Sequence, residues 1–185
     1  MVLISPHGSR PGVHRTNKGS LTAFGLEVEV DHGPGRRAEE LAAAWGTELL
    51  DGPLDHGAVV PLALCDLGPS VTCINLPDAD RLAAKAIGAV FGDEVTVVVS
   101  ANGSAGLTPR APLTEVEGAG EAEHRFLDAL ATDAALLSHA AAALPGSCAA
   151  GPVSVLAELF AGIGGEVLAH EAPVGVGYTV ARFKR

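Results

Sequence analysis

Val95-Thr96-Val97-Val98-Val99-Ser100, continued by Ala101-Asn102-Gly103-Ser104-Ala105-Gly106, is the stretch that decides the fold class. Its first half is almost wholly β-branched, and a second heavy atom on Cβ crowds the helical turn while suiting a pleated sheet. With no polar alternation, the run predicts a strand buried on both faces, as in the interior of a parallel sheet. The glycines and serine that follow predict a loop at the carboxyl edge of that sheet, where sites in open α/β proteins collect.

Working outward, strands are expected at Val2 to Ile4, at Leu26 to Val30 and at Ser70 to Asn75; the second alternates apolar residues with two glutamates, which suits an edge. Helices are expected over Ala38 to Leu50, stopped by Asp51-Gly52-Pro53, and over Asp78 to Phe91, capped by Asp78 and ended by Gly92. Glu121 to Leu144 predicts one or two helices and Pro152 to Gly162 another, with Pro152 early in its helix. Two strands, Glu166 to Ala169 and Gly177 to Phe183, are expected to close the chain. Strands alternating with helices predict a three-layer α/β sandwich with a mixed, largely parallel central sheet, in a single domain over 1–185.

Composition narrows the function classes. The 185 residues are 48% hydrophobic with mean hydropathy +0.30, ample for a core and contrary to disorder. A formal charge of −10 and a pI near 5.0 argue against nucleic acid as a partner, since phosphate binding needs clustered Lys and Arg. Cys65, Cys73 and Cys148 form no CxxC pair, which speaks for a reducing compartment and against a disulfide framework or structural zinc site. No secretory leader or membrane span is expected, and the cytoplasm is the expected location.

Chemistry-bearing residues concentrate in two places. In Gly52-Pro53-Leu54-Asp55-His56-Gly57-Ala58-Val59-Val60-Pro61-Leu62 an Asp-His pair sits on a glycine-flanked bend: Asp55 can orient the ring of His56, and Gly57 allows a ligand to approach. The plainer alternative is a turn in which Asp55 caps backbone amides. In Val2-Leu3-Ile4-Ser5-Pro6-His7-Gly8 a strand runs directly into His7, either a metal ligand or a strand-end imidazole bonded to backbone. His14 and His32 read as solvated loop residues, and His124 and His139 as helix-surface groups. His170-Glu171 either enters a cleft or pairs at a strand terminus. Cys148 reads as buried and inert, or as activated by the helix that follows. The loop at Gly103 to Gly106 has neither the lysine of a phosphate-binding loop nor the GxSxG elbow of a serine hydrolase.

Asp55-His56-Gly57 with Val60-Pro61-Leu62, Ser5-Pro6-His7-Gly8, the Val95 to Gly106 strand and loop, and Gly175-Val176-Gly177-Tyr178 occur in an order that resembles the LigB-like superfamily. That superfamily comprises the class III extradiol ring-cleavage dioxygenases, their DOPA-dioxygenase-type relatives and the Memo-like proteins. The resemblance covers nearly the whole chain. It implies the dioxygenase catalytic-subunit fold (phosphorylase/hydrolase-like), with the Gly177-Tyr178 strand closing the sheet. His7 would be a metal ligand; His56, with Asp55, would serve as acid-base group or further ligand beside a small aromatic or carbonyl molecule. It implies Fe(II) in the active members, with zinc or no metal as the other outcomes, and pairing of subunits. Three family features have no clear counterpart: a metal-binding histidine upstream of Ser5-Pro6-His7, a histidine ending the loop where Ser104 and Ala105 stand, and a late ligand, for which Cys148 and Glu158 are candidates. The expectations are therefore a divergent dioxygenase-like enzyme or a binding or assembly module that kept the fold without the metal centre.

Overall fold

The computed structural model describes residues 1–6, 10–35, 37–54, 56–64, 71–92 and 95–184, those at 24, 56–57 and 64 by backbone alone. His7, Asp55 and Cys65, and the side chain of His56, lie outside the described residues. The chain forms two compact units, Met1–Ser100 and Ala101–Arg185.

The first unit is an α/β sandwich around a mixed five-stranded sheet. Its strands are β1 (Val2–Ser5), β2 (Gly12–His14), β5 (Glu48–Leu50), β6 (Thr72–Asn75) and β7 (Val97–Val99), in the spatial order β5-β2-β6-β1-β7. β1 lies parallel to β6 and β7, β2 is parallel to β5, and β2 runs antiparallel to β6. Leu3 stands in register with Cys73 and Val98. By the two-residue alternation of a strand these three share a face. There they meet Leu54, Ala58, Val59 and Leu62, the last three from α2 (His56–Leu64). Val2, Ile4 and Ile74, all buried, face the other way. α1 (Ala38–Trp45) packs beside β2 and β5 and against α3 (Arg81–Phe91). A two-stranded antiparallel sheet, β3 (Thr16–Ser20) with β4 (Glu29–Pro34), packs on α2.

Several expectations need correction here. Val97–Val99 is an edge strand and half-buried, so its β-branched run reflects strand propensity and not burial on two faces. The helix expected through Leu50 stops at Trp45, because Gly46 takes a left-handed conformation (φ 76°) and its N–H returns to the carbonyl of Ala42 at 2.9 Å. That frees Glu48–Leu50 to pair with β2 as β5. Asp80, not Asp78, caps α3: one carboxylate oxygen accepts from the Leu82 amide at 2.8 Å, the other from the Trp45 indole at 2.8 Å. The strand expected from Leu26 starts at Glu29, since a 3-10 turn at Thr22–Phe24 ends at left-handed Gly25 and folds 26–28 back on Leu21. His14, expected on a solvated loop, is a buried residue of β2, and His32 belongs to β4.

The second unit is built from α4 (Ala119–Thr132), a 3-10 turn at Ala134–Leu136, α5 (Leu137–Ala142), α6 (Ala150–Leu159) and a hairpin of β8 (Glu166–Glu171) with β9 (Tyr178–Arg182). The helices expected in this half are present, and Pro152 falls in the first turn of α6, where its missing N–H costs nothing. The Gly177-Tyr178 strand, which the family resemblance implied would close the sheet, instead pairs with β8 in a separate two-stranded sheet. α4 buries Ala119, Ala122, Phe126, Ala129 and Leu130 and packs on β8 and α5. Asp133 joins the pieces, its Oδ1 accepting from the amides of Ala135 and Gly162, both at 2.8 Å.

Candidate functional site

In the first unit, the parallel strands β1, β6 and β7 end at one edge of the sheet. Ser5 and Asn75 are in register there and both buried. Asn75 donates through Nδ2 to the Arg10 carbonyl at 2.7 Å, and its Oδ1 is buried with no hydrogen-bond partner among the described residues. β1 ends at Ser5, and buried Pro6 follows it. His56 opens α2, two residues after buried Leu54, so over His56-Gly57 the expected bend is a helix start. The expected meeting of the His7 and His56 rings, and the orienting contact from Asp55, lie outside the described residues.

The second unit contains the better-defined constellation, around the loop 102–106. Backbone bonds fasten this loop to the segment that precedes β9: Gly103 N–H donates to the Gly177 carbonyl at 2.9 Å, Gly177 N–H to the Ser104 carbonyl at 2.9 Å, and Leu107 N–H to the Gly175 carbonyl at 3.0 Å. Both partners of the central pair are glycines for a steric reason. A Cβ on Gly103 would stand 2.6 Å from Oε1 of Glu123, and one on Gly177 would overlap the same oxygen.

Glu123 comes from the buried stripe of α4 and is 3% exposed. Oε2 accepts the Ser104 amide at 2.8 Å. Oε1 is buried without a hydrogen-bond partner among the described residues, and His170 Nδ1 of β8 lies 3.9 Å away. The same Nδ1 is 2.9 Å from the Thr179 hydroxyl on β9. Of the two sequence readings for His170-Glu171, the strand pairing holds for His170, which turns inward, while Glu171 is exposed.

On its other flank the loop engages Cys148. Asn102 Oδ1 accepts from the Cys148 thiol and from the Cys148 amide, and the Ser147 hydroxyl donates to the Asn102 carbonyl at 2.7 Å. Cys148 is half-buried, so it is not the sequestered cysteine expected from sequence. Glu158 is exposed near the far end of α6. Eight residues from the start of that helix to Glu158 span about 12 Å, so Cys148 and Glu158 are alternatives as a late ligand and not partners on one ion. Ser104, in the place where the family resemblance implies a histidine, is fully buried and accepts from the Gly106 amide at 3.3 Å. His124 and His139 are exposed on α4 and α5, as expected, the first with Nδ1 2.8 Å from the Gly120 carbonyl.

Among the described residues no group of three or more His, Cys, Asp and Glu stands close enough to hold a metal ion. No described helix is long and apolar enough to cross a membrane. Sequence reasoning missed Glu123 and Asn102. Glu123 carried a usable signal: it falls within the stripe Ala119, Ala122, Phe126, Ala129 and Leu130, so its carboxylate had to be buried and to find a donor. No family model matches the chain, and no curated protein matches it in sequence.

Proposed function

We propose that this is a divergent LigB-like protein that binds a small aromatic or carbonyl ligand and lacks the ring-cleavage step of the class III extradiol dioxygenases. The observation that carries this reading is Ser104, buried and bonded inward at the position where those enzymes present a histidine. A serine hydroxyl engaged with the Gly106 amide offers no group that titrates near neutrality, so proton transfer from this loop is lost. Facial Fe(II) sites rest on two histidines and a carboxylate. What remains is binding, in a fold without a proton-transfer group on this loop.

A second reading, an Fe(II) dioxygenase-type oxidoreductase with His7 and His56 as ligands and Asp55 orienting His56, is favoured by one observation. β1, β6 and β7 are parallel and end together, and in sequence His7 follows two residues after the end of β1. Anaerobic titration with Fe(II) and with Zn(II), followed by air and a panel of catechols, separates the two. Saturable aromatic binding without ring-fission absorbance is the expected result. Ring-fission absorbance that disappears in His7→Ala would overturn it and establish the enzyme.

A further inference from the structure

We propose that the open edge of β9 pairs antiparallel with β9 of a second copy of this chain, joining two hairpins into one four-stranded sheet. The inference rests on the hairpin of the second unit and does not depend on ligand binding.

Among the described strands β8 and β9 pair only with each other, and a strand edge left open is a template for another chain. The two edges of the hairpin are not equivalent. β8 carries a register shift between Val167 and Ala169 that bulges Leu168 out of the ladder, and α4 packs on this strand. A bulge spoils an edge for further pairing. β9 is regular over Tyr178–Arg182, with no bulge, proline or glycine to interrupt it. Its outward face is apolar where a solvated edge would carry charge: Tyr178 is 52% exposed and Val180 57%, next to Leu168 at 52% on β8.

The charges on this face select a second copy as the occupant. Within the hairpin, Arg182 stands in register with Glu166, to which it is ion-paired, and Tyr178 stands in register with Glu171. A two-fold axis through Val180 sets that residue against its own equivalent, and sets Arg182 of each copy opposite Tyr178 of the other. Across the four strands each end of the sheet then reads Glu166, Arg182, Tyr178, Glu171. The guanidinium stands between two carboxylates and beside an aromatic ring, both favourable neighbours. No like charges oppose one another along Tyr178–Arg182. The matching full-length pairing of β8 with itself would instead set Glu166 against Glu171, two like charges face to face. A five-residue strand is about 17 Å long. That length puts the contact at the small, transient end of interfaces, with dissociation between about 1 μM and 1 mM.

Sedimentation equilibrium of the full chain tests the pairing, over about 1 μM to 1 mM protein and at about 150 mM salt, where the net charge of each copy is screened beyond about 8 Å. The average mass should rise with concentration toward twice the 18.6 kDa of the chain. Val180→Lys and Val180→Glu each place like charges opposite one another at the axis, and each should raise the dissociation constant by at least about fivefold. Both should keep the far-UV circular dichroism of the unaltered protein, because residue 180 is exposed. Mixing the two variants puts opposite charges at the axis and should bring association back. Val174→Lys, at an exposed apolar position outside both strands, should associate as the unaltered chain does. A chain that stays monomeric up to about 1 mM overturns the proposal. So does association that Val180→Lys leaves intact, a mixture that associates no better than its components, or a Val174→Lys variant weakened as much as Val180→Lys.

Discussion

At Gly177 a single methyl group meets the oxygen of a buried carboxylate, whereas at Gly120, on the first turn of α4, the same methyl meets nothing within 4 Å. Gly177→Ala should therefore destabilise the protein by about 2 kcal/mol through overpacking, while Gly120→Ala should stabilise it by about 0.5 kcal/mol through helix propensity. Urea unfolding of the two variants, monitored by far-UV circular dichroism, measures the contrast. Asp31 supplies a pH prediction at the same scale. Its carboxyl is held below the usual value of 3.8, first by the hydrogen bond from the Lys18 ammonium and then by the Gly33 amide. A depressed carboxylate stabilises the fold above its unfolded pKa and loses that contribution as pH falls through the folded one. Lys18→Met should thus move the Asp31 titration upward toward 3.8 in a carboxylate NMR titration, with little effect on stability because the pair is exposed. Residues of this kind were only partly legible in advance. The position of Glu123 on an apolar stripe could be read from its spacing, but its contact with Gly103 and Gly177 depends on a return of the chain more than fifty residues later.

Elements were legible where composition and a stop signal agreed. α3 is one such case, since apolar spacing, an aspartate before it and Gly92 after it all point the same way. The error of two residues in its cap came from the tertiary structure, because the Trp45 indole donates to Asp80. Asp80→Ala removes both the Leu82 cap and the indole's acceptor and should cost about 1 to 2 kcal/mol, read from thermal unfolding and from altered Trp45 fluorescence. Gly46→Ala has open space for its methyl, yet must hold φ at 76°, and should cost about 1 kcal/mol for that reason. β3 was not legible at all: Thr16–Ser20 has no hydrophobic residue to mark a strand. It forms because β4 supplies the ladder and because Asn17, fully buried, donates to the Val71 carbonyl at 2.7 Å.

At the scale of the molecule, charge and layering were readable but sheet membership was not. Alternating strands and helices correctly implied an α/β arrangement with a mixed sheet, because βα connections of this length leave little else. Nothing local marks whether the last two strands join that sheet or pair with each other, since hydrogen-bond partners are chosen by long-range packing. The formal charge of −10 leads to a whole-molecule prediction: no retention of duplex DNA at about 150 mM salt, because the basic residues, apart from Arg36-Arg37 and the last few, are scattered along the sequence and release few counterions. A mobility shift that persists at that salt would contradict it.

The glycine pair around Glu123 also bears on how this sequence can drift through descent. While the carboxylate occupies the slot, Gly177 tolerates no side chain; once a lineage shortens residue 123 to alanine, those contacts at 177 vanish, whereas a Cβ on Gly103 would still stand 2.9 Å from the Gly177 carbonyl. Among homologues, a larger residue at 177 should therefore occur only where 123 is small, a pairwise correlation that arises from the volume of one carboxylate.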